Sequence, residues 1–234
     1  VAIGHPAICN FVRVAAEVYG ITGEDRVYQG MTLAFDFSVE ETWVPWMAGA
    51  TLVPRPAGPG LLGAELDAFL RERRVTALCC VPTLLATLDE ERSGLRFLLV
   101  SGESCPQDLI SRWHRPGRRF LNVYGPTEAT VTATWTLLDP DRPVTIGVPL
   151  PTYAVVLLDP QEDAALPPGT MGEIGIAGMG LASGYVNRPD LTDRAFVPDF
   201  LGVPGNPSGR IYRTGDLGRV NPRGEIEHHG RIDT

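Results

Sequence analysis

The sequence predicts an α/β fold: mostly parallel sheet covered by helices, followed by a small β-rich subdomain of distorted-barrel type. Three observations carry this. Short apolar runs alternate with stretches of helical periodicity through the first half. After about Gly147 the texture changes to short strands and tight turns. A load of 26 Gly and 21 Pro in 234 residues favours many turns over long helices.

Ile8, Phe11, Val12, Ala15 and Tyr19 recur at helical spacing after Pro6, predicting an amphipathic helix. Leu62, Leu66, Phe69 and Leu70 repeat that pattern, and the segment from Val75 to Cys80 then reads as a buried strand. Pro82 is placed to open the next helix, where its missing N–H costs little, and that helix is expected to run through Leu84, Leu85 and Leu88. The run from Phe97 to Val100 is a second apolar strand, followed by a short helix around Leu109 and Trp113; the run from Phe120 to Val123 is a third. Apolar strands separated by helices imply a mostly parallel sheet with both faces covered. Beyond them, Ala154 to Leu158 and Glu173 to Ile176 are the clearest strands, separated by Pro167-Pro168-Gly169. A boundary near Pro149-Leu150-Pro151 assigns 1–148 to the α/β portion and 149–234 to the β-rich one.

Composition removes several classes of function. A net charge of −8 argues against nonspecific nucleic-acid binding, and the short cluster Arg115-Pro116-Gly117-Arg118-Arg119 reads as a solvated loop. No run has the apolar length of a membrane helix, and the N-terminus lacks a signal-peptide pattern, so a cytoplasmic location is expected. Cys9, Cys79, Cys80 and Cys105 have no Cys-x-x-Cys spacing, and adjacent His228 and His229 on a strand would point to opposite faces; reduced thiols, not a metal site, are expected. All 20 basic residues are arginine. Chemistry that requires a lysine ammonium must therefore receive it from outside these residues.

Four segments occur in order: Asn122-Val123-Tyr124-Gly125-Pro126-Thr127-Glu128, Gly178 to Tyr185, Tyr212-Arg213-Thr214-Gly215-Asp216, and Gly230-Arg231-Ile232-Asp233. Together they resemble the nucleotide-binding signature of the adenylate-forming superfamily, most closely the amino-acid adenylation domains of nonribosomal peptide synthetases. The resemblance extends from Gly4-His5 to the last residues. It implies ATP-dependent activation of an amino acid as aminoacyl-AMP, then transfer to the phosphopantetheine thiol of a carrier domain. It also implies an internal piece: the family places a phosphate loop with a lysine before this segment and a C-terminal domain with a second lysine after it. No catalytic residue is therefore assigned within the chain.

Each motif suits its implied task. Gly125-Pro126 forces a turn at the end of an apolar strand, the usual ligand edge of an α/β sheet. By resemblance, Asn122, Tyr124, Gly125, Thr127 and Glu128 serve ATP: Tyr124 stacks on adenine, Thr127 bonds a phosphate oxygen, and Glu128 ligates Mg²⁺, a hard ion that prefers oxygen. Asp216 can accept from both ribose hydroxyls, and Arg231 offers planar donors to ribose or phosphate. Gly102-Glu103-Ser104 lets backbone approach adenine, with Ser104 as an alternative helix cap. His228 stands where the family often has Tyr beside the adenine. Gly178 to Tyr185 reads as a structural loop, with Ser183 where the family usually has Arg, and Asp233 as the hinge to the C-terminal domain.

The segment from Ala34 to Glu40 resembles the start of the family's amino-acid pocket. Asp36 matches the carboxylate that pairs with a substrate α-ammonium; a helix N-terminal Asp favoured by the dipole is the alternative. The implied lining is Asp36, Phe37, Glu40, Cys79, Leu99, Ser101, Val123, Val131 and Thr132. Glu40 is a second acid, and a buried acid expects a cation. That points to lysine, ornithine or another diamino acid, in keeping with a weaker likeness to enzymes that polymerise such residues. The alternative has Glu40 and Glu41 both facing solvent. An acyl-CoA or aryl-acid ligase, or a non-catalytic nucleotide- or partner-binding remnant, is the other expectation for the chain.

Overall fold

The computed structural model describes residues 1–89 and 94–232. The chain divides into two compact units. The α/β unit comprises Ala15–Val123 and Leu137–Val144; the β unit comprises Val1–Val14, Tyr124–Thr136 and Thr145–Thr234. Helix α1 (His5–Tyr19) runs through the division at Val14.

The α/β unit continues with β1 (Arg26–Gln29), α2 (Phe37–Met47), β2 (Thr51–Pro54), α3 (Gly63–Glu72), β3 (Ala77–Cys80), α4 (Pro82–Leu85), β4 (Phe97–Val100), α5 (Gln107–Trp113) and β5 (Arg119–Tyr124). Its strands lie in the order β2-β1-β3-β4-β5 and pair in parallel. β3 and β4 are buried along their whole length, which is why they read as unbroken apolar runs. Alternation along the strands sorts their side chains onto two faces. Tyr28, Val53, Leu78, Cys80, Leu98, Val100 and Phe120 join one core with Leu66 and Leu70 of α3, Leu85 of α4, and Leu109, Ile110 and Trp113 of α5. Their chain neighbours Val27, Ala77, Cys79, Phe97 and Leu99 turn the other way and are equally buried. There the Tyr19 ring meets Phe97, with centroids 6.4 Å apart.

Two local expectations need correction. α4 stops at Leu85, short of Leu88, because Thr87 turns back on the helix: its N–H and its hydroxyl both donate to the Leu84 carbonyl, at 3.0 and 2.8 Å. The arginine cluster is only partly a solvated loop. Arg118 donates to the carbonyls of Leu95 and Trp113 and lies over the Trp113 ring. Arg119 donates to the carbonyls of Val18 and Tyr19, satisfying the C-terminal end of α1.

The β unit holds a short antiparallel pair, β6 (Thr134–Leu137) with β7 (Val148–Pro149). It also holds β8 (Tyr153–Leu158), β9 (Gly172–Gly178), α6 (Pro189–Ala195), β10 (Phe196–Pro198), β11 (Arg210–Val220) and β12 (Ile226–Arg231). These strands form an antiparallel sheet in the order β10-β11-β9-β8, with β12 also on β11. Gly147 has φ +78°, and a Cβ there would lie 1.9 Å from the Trp135 carbonyl oxygen, so only glycine fits. The units cut the chain otherwise than the change of texture at residue 148. Residues 124–136 pack with the β unit because Ala182 N–H donates to the Glu128 carbonyl and the Thr130 hydroxyl to the Gly180 carbonyl. No helix among the described residues is long and apolar enough to cross a membrane.

Candidate functional site

In the β unit, the residues after β5 make a strained loop. A Cβ on Gly125 would sit 2.6 Å from Thr132 Cα and 2.7 Å from the Ala133 nitrogen, so the close return of the backbone requires glycine. Thr130 and Val131, both β-branched, have φ of +60° and +69°. Such residues are seldom found there and persist only when their surroundings fix them. The loop Gly178 to Tyr185 supplies the fixing. Thr130 Oγ1 donates to the Gly180 carbonyl at 2.6 Å, and Ala182 N–H donates to the Glu128 carbonyl at 2.8 Å. The Tyr185 hydroxyl donates to Glu128 Oε1 at 2.6 Å. Arg210 braces the same loop: its guanidinium donates to the Ala182 and Ser183 carbonyls and lies over the Phe196 ring.

Four of the sequence-predicted nucleotide residues meet around Asp216, midway along β11. The Tyr124 hydroxyl donates to Asp216 Oδ2 at 2.5 Å. His228 Nε2 and Arg231 Nη1 lie 3.7 and 3.6 Å from Asp216 Oδ1, and the Tyr124 and His228 rings are 5.8 Å apart. Burial alone would raise the Asp216 carboxyl, but hydrogen bonds from His228 and Tyr124 and the charges of His228 and Arg231 hold it below the usual carboxylate range. Burial and the Asp216 charge push the Tyr124 phenol up, so it stays a donor. Glu128 is apart from this cluster in its bonding, held instead by Tyr185, while Thr127 lies in the 3-10 turn Thr127–Ala129. Among the described residues no group of three or more His, Cys, Asp or Glu could hold a metal. A single carboxylate on a fixed loop still fits Mg²⁺, which commonly takes one or two carboxylates and completes its shell with phosphates and water.

In the α/β unit, α2 carries Asp36, Phe37 and Glu40. Asp36 occupies the N-cap position in helical conformation (φ −63°, ψ −22°) and makes no side-chain cap bond; its place at the start of α2 is the one the dipole alternative expects. Glu40 and Glu41 are 1% and 0% exposed, which overturns the solvent-facing alternative. Glu41 Oε1 and Oε2 accept from the Gly30 and Met31 N–H groups at 2.9 and 3.0 Å. Burial pushes its carboxyl up to about 7 against the pull of these bonds. Glu40 accepts instead from the buried hydroxyl of Tyr19.

Cys79 and Leu99 are buried on the face of the sheet opposite the α3–α5 core. Burial and then the Glu40 charge push the Cys79 thiol well up, so it is a neutral, inert wall. Ser101 follows β4 directly; Asn122 and Val123 are buried in β5. Gly102 has φ +81°, and a Cβ there would make ordinary contacts with Val81 at 3.8 Å and Phe35 at 3.9 Å, while the Glu103 carboxylate accepts from the Thr83 N–H and hydroxyl. Ser104 is not a helix cap: α5 begins later, behind Pro106. Asp233 lies outside the described residues. Sequence reasoning did not anticipate Tyr19, Tyr185 or Glu41 as partners. Only Tyr185 had a signal, as the last residue of a recognisable motif.

A family model described as AMP-binding enzyme matches residues 1–186. The delta-poly-L-ornithine synthetase of Acinetobacter baumannii is 39% identical over 233 residues, covering 100% of this chain and 17% of that protein. Novobiocin biosynthesis protein H of Streptomyces niveus is 44% identical over 232 residues, 98% of this chain and 37% of that protein. Holo-AB3403, a four-domain nonribosomal peptide synthetase bound to AMP and glycine, matches with TM-score 0.86 at 35% identity over 99% of this chain and 18% of that one. The chain thus spans well under half of these relatives. With matched family residues that take in the loop after β5 and the Gly178 to Tyr185 segment that braces it, the chain belongs to the AMP-binding enzyme family.

Proposed function

We propose that this chain is part of an amino-acid adenylation domain that activates a diamino acid, ornithine or lysine, with MgATP. The substrate carboxylate attacks the α-phosphorus, the bond from that phosphorus to the bridging oxygen breaks, and pyrophosphate leaves with aminoacyl-AMP as product. A phosphopantetheine carrier domain then receives the aminoacyl group, in the cytoplasm. The observation that carries the nucleotide half is the Asp216 carboxylate, held ionised by Tyr124, His228 and Arg231. Such an acceptor suits the paired hydroxyls of ribose, and Tyr124 and His228 offer ring faces for adenine. When bound, Mg²⁺ would neutralise phosphate charge, with Glu128 its carboxylate ligand and Tyr185 orienting that ligand. Asp36 would pair with the α-ammonium.

The diamino preference rests on Glu40, a fully buried acid on α2 whose charge reaches Cys79 of β3. An acid so placed favours a cationic side chain, because a desolvated carboxylate gains far more from an opposite charge than from a methyl group. The similarity to a poly-ornithine synthetase supports the same reading.

The test is pyrophosphate exchange by an adenylation enzyme carrying this segment, across a panel of acids. Ornithine or lysine should exceed the near-isosteric norvaline or norleucine by a factor of about ten or more. Exchange only with carboxylic acids that lack an amine would favour the acyl-ligase reading, and no exchange with any acid would favour a non-catalytic remnant.

A further inference from the structure

Tyr19 is the last residue of α1, outside every motif that marks the nucleotide or amino-acid residues. Its side chain is nonetheless fully buried, its ring rests against Phe97 of β4, and its hydroxyl donates to Glu40 Oε1. Glu40 lies on α2, so this one hydrogen bond ties the end of one helix to the acid on another. The backbone beneath Tyr19 is also fixed: Arg119 Nε donates to its carbonyl at 2.8 Å, from the first residue of β5. A phenol held by ring packing, by its backbone and by the carboxylate has little freedom to move.

A carboxylate at the end of a Glu side chain has three rotatable bonds. Discrimination between an ammonium and a methyl group at its far end depends on where the oxygens stand, and a fixed donor on one oxygen decides that. Tyr19 supplies a neutral donor rather than a cation, so it orients the acid without cancelling its charge. That charge also reaches the Cys79 thiol, which stays neutral.

We propose that Tyr19 is a positioning residue for substrate selection, its buried hydroxyl fixing the Glu40 carboxylate against which the side-chain ammonium of a diamino acid is read. The inference rests on the reading of Glu40 as the acceptor of that ammonium. Tyr19 touches no substrate atom; it acts through Glu40.

The experiment compares kcat/KM for ornithine and norvaline in pyrophosphate exchange, for the adenylation enzyme carrying this segment and its variants. Tyr19→Phe keeps the ring and removes the donor. The ornithine-to-norvaline ratio should fall roughly tenfold, chiefly through a higher KM for ornithine, as expected for loss of a hydrogen bond to a charged group. Combining it with Glu40→Gln should lower the ratio no further than Glu40→Gln alone, since the two act as a unit. An unchanged ratio in Tyr19→Phe, or equal losses for both substrates, would overturn the proposal and leave Tyr19 a packing residue. Glu40→Asp gives an independent check: it keeps the charge but withdraws it from the Tyr19 hydroxyl. It should lose the preference as Tyr19→Phe does; full retention would overturn positioning as the cause. If Glu40→Gln itself leaves the preference intact, the cationic-substrate reading falls, a result distinct from failure of Tyr19 alone.

Discussion

The Asp216 side chain is only 13% exposed, yet three groups around it favour its charge. The geometry also apportions its two oxygens. Oδ2 is taken by the Tyr124 hydroxyl, while Oδ1 faces His228 and Arg231. Under the proposed function, a ribose bound there would meet an acceptor already ionised and oriented, so little reorganisation would be needed on ATP binding. Asp216→Ala in an enzyme carrying this segment should therefore raise the apparent KM for ATP. A charge-assisted hydrogen bond contributes about 1.5–3 kcal/mol, so the rise should be roughly tenfold or more. Pyrophosphate exchange at varied ATP measures it, and an unchanged KM would remove Asp216 from the nucleotide site. Tyr124 has a double role in this scheme, as a ring for adenine and as the donor that sets Asp216. The tyrosine was identifiable from its motif; its bond to a residue 92 positions away was not.

Helix α2 shows how one element can carry two neighbouring acids with different duties. Successive helical residues point about 100° apart, so Glu40 and Glu41 reach different partners although both are buried. Glu41 closes the turn after β1 by accepting from Gly30 and Met31. Its folded-state value of about 7 lies above the ordinary 4.5, so folding takes up a proton between those two pH values. The Glu41 contribution to stability is accordingly full below pH 4.5 and is lost as pH rises through 7. Glu41→Gln, which cannot ionise, should be less stable than the native enzyme at about pH 5, and the gap should narrow as the medium becomes neutral. The narrowing should approach about 1.4 kcal/mol for each pH unit between the two values. Urea midpoints across that range measure the gap, and a constant gap would show that Glu41 titrates normally. The same element marks the limit of what the sequence discloses. β3 and β4 were readable because strands buried on both faces are unbroken apolar runs, and β5 because Asn122 alone interrupts its buried stretch from Phe120 to Val123. β1 and β2 were not, since only their two central residues are apolar, flanked by Arg26 and Gln29 in one and by Thr51 and Pro54 in the other. Burial of both acids of α2 escaped sequence reading as well, because their partners, Tyr19 and the Gly30-Met31 amides, are set by tertiary packing and not by local pattern.

Across the whole molecule, the cations are distributed in a way that bears on catalysis. All 20 basic residues are arginines. Many of them are engaged in holding the fold: Arg96 in the buried network of Asp25 and Thr76, Arg119 at the end of α1, Arg213 on Glu173, and Arg210 on the 178–185 loop. Arg231 is the cation placed beside Asp216, and its guanidinium also reaches the Thr214 carbonyl. Adenylation needs positive charge at two places, on the departing pyrophosphate and between the carboxylate and the α-phosphate. Arg213, within a nucleotide motif, is taken up by Glu173, which leaves Arg231 as the cation beside Asp216 among the described residues; under the proposed function Mg²⁺ on Glu128 would add a second charge, and neither is a mobile ammonium. The 234 residues expressed alone should therefore show no amino-acid-dependent pyrophosphate exchange, whereas the same residues within a longer adenylation enzyme should show it. Circular dichroism on the short chain would establish that it is folded, so that silence is not mistaken for unfolding. Robust exchange by the folded short chain would mean that arginine alone can do the work assigned to the family's lysines, and the search for the catalytic cation would return to Arg231.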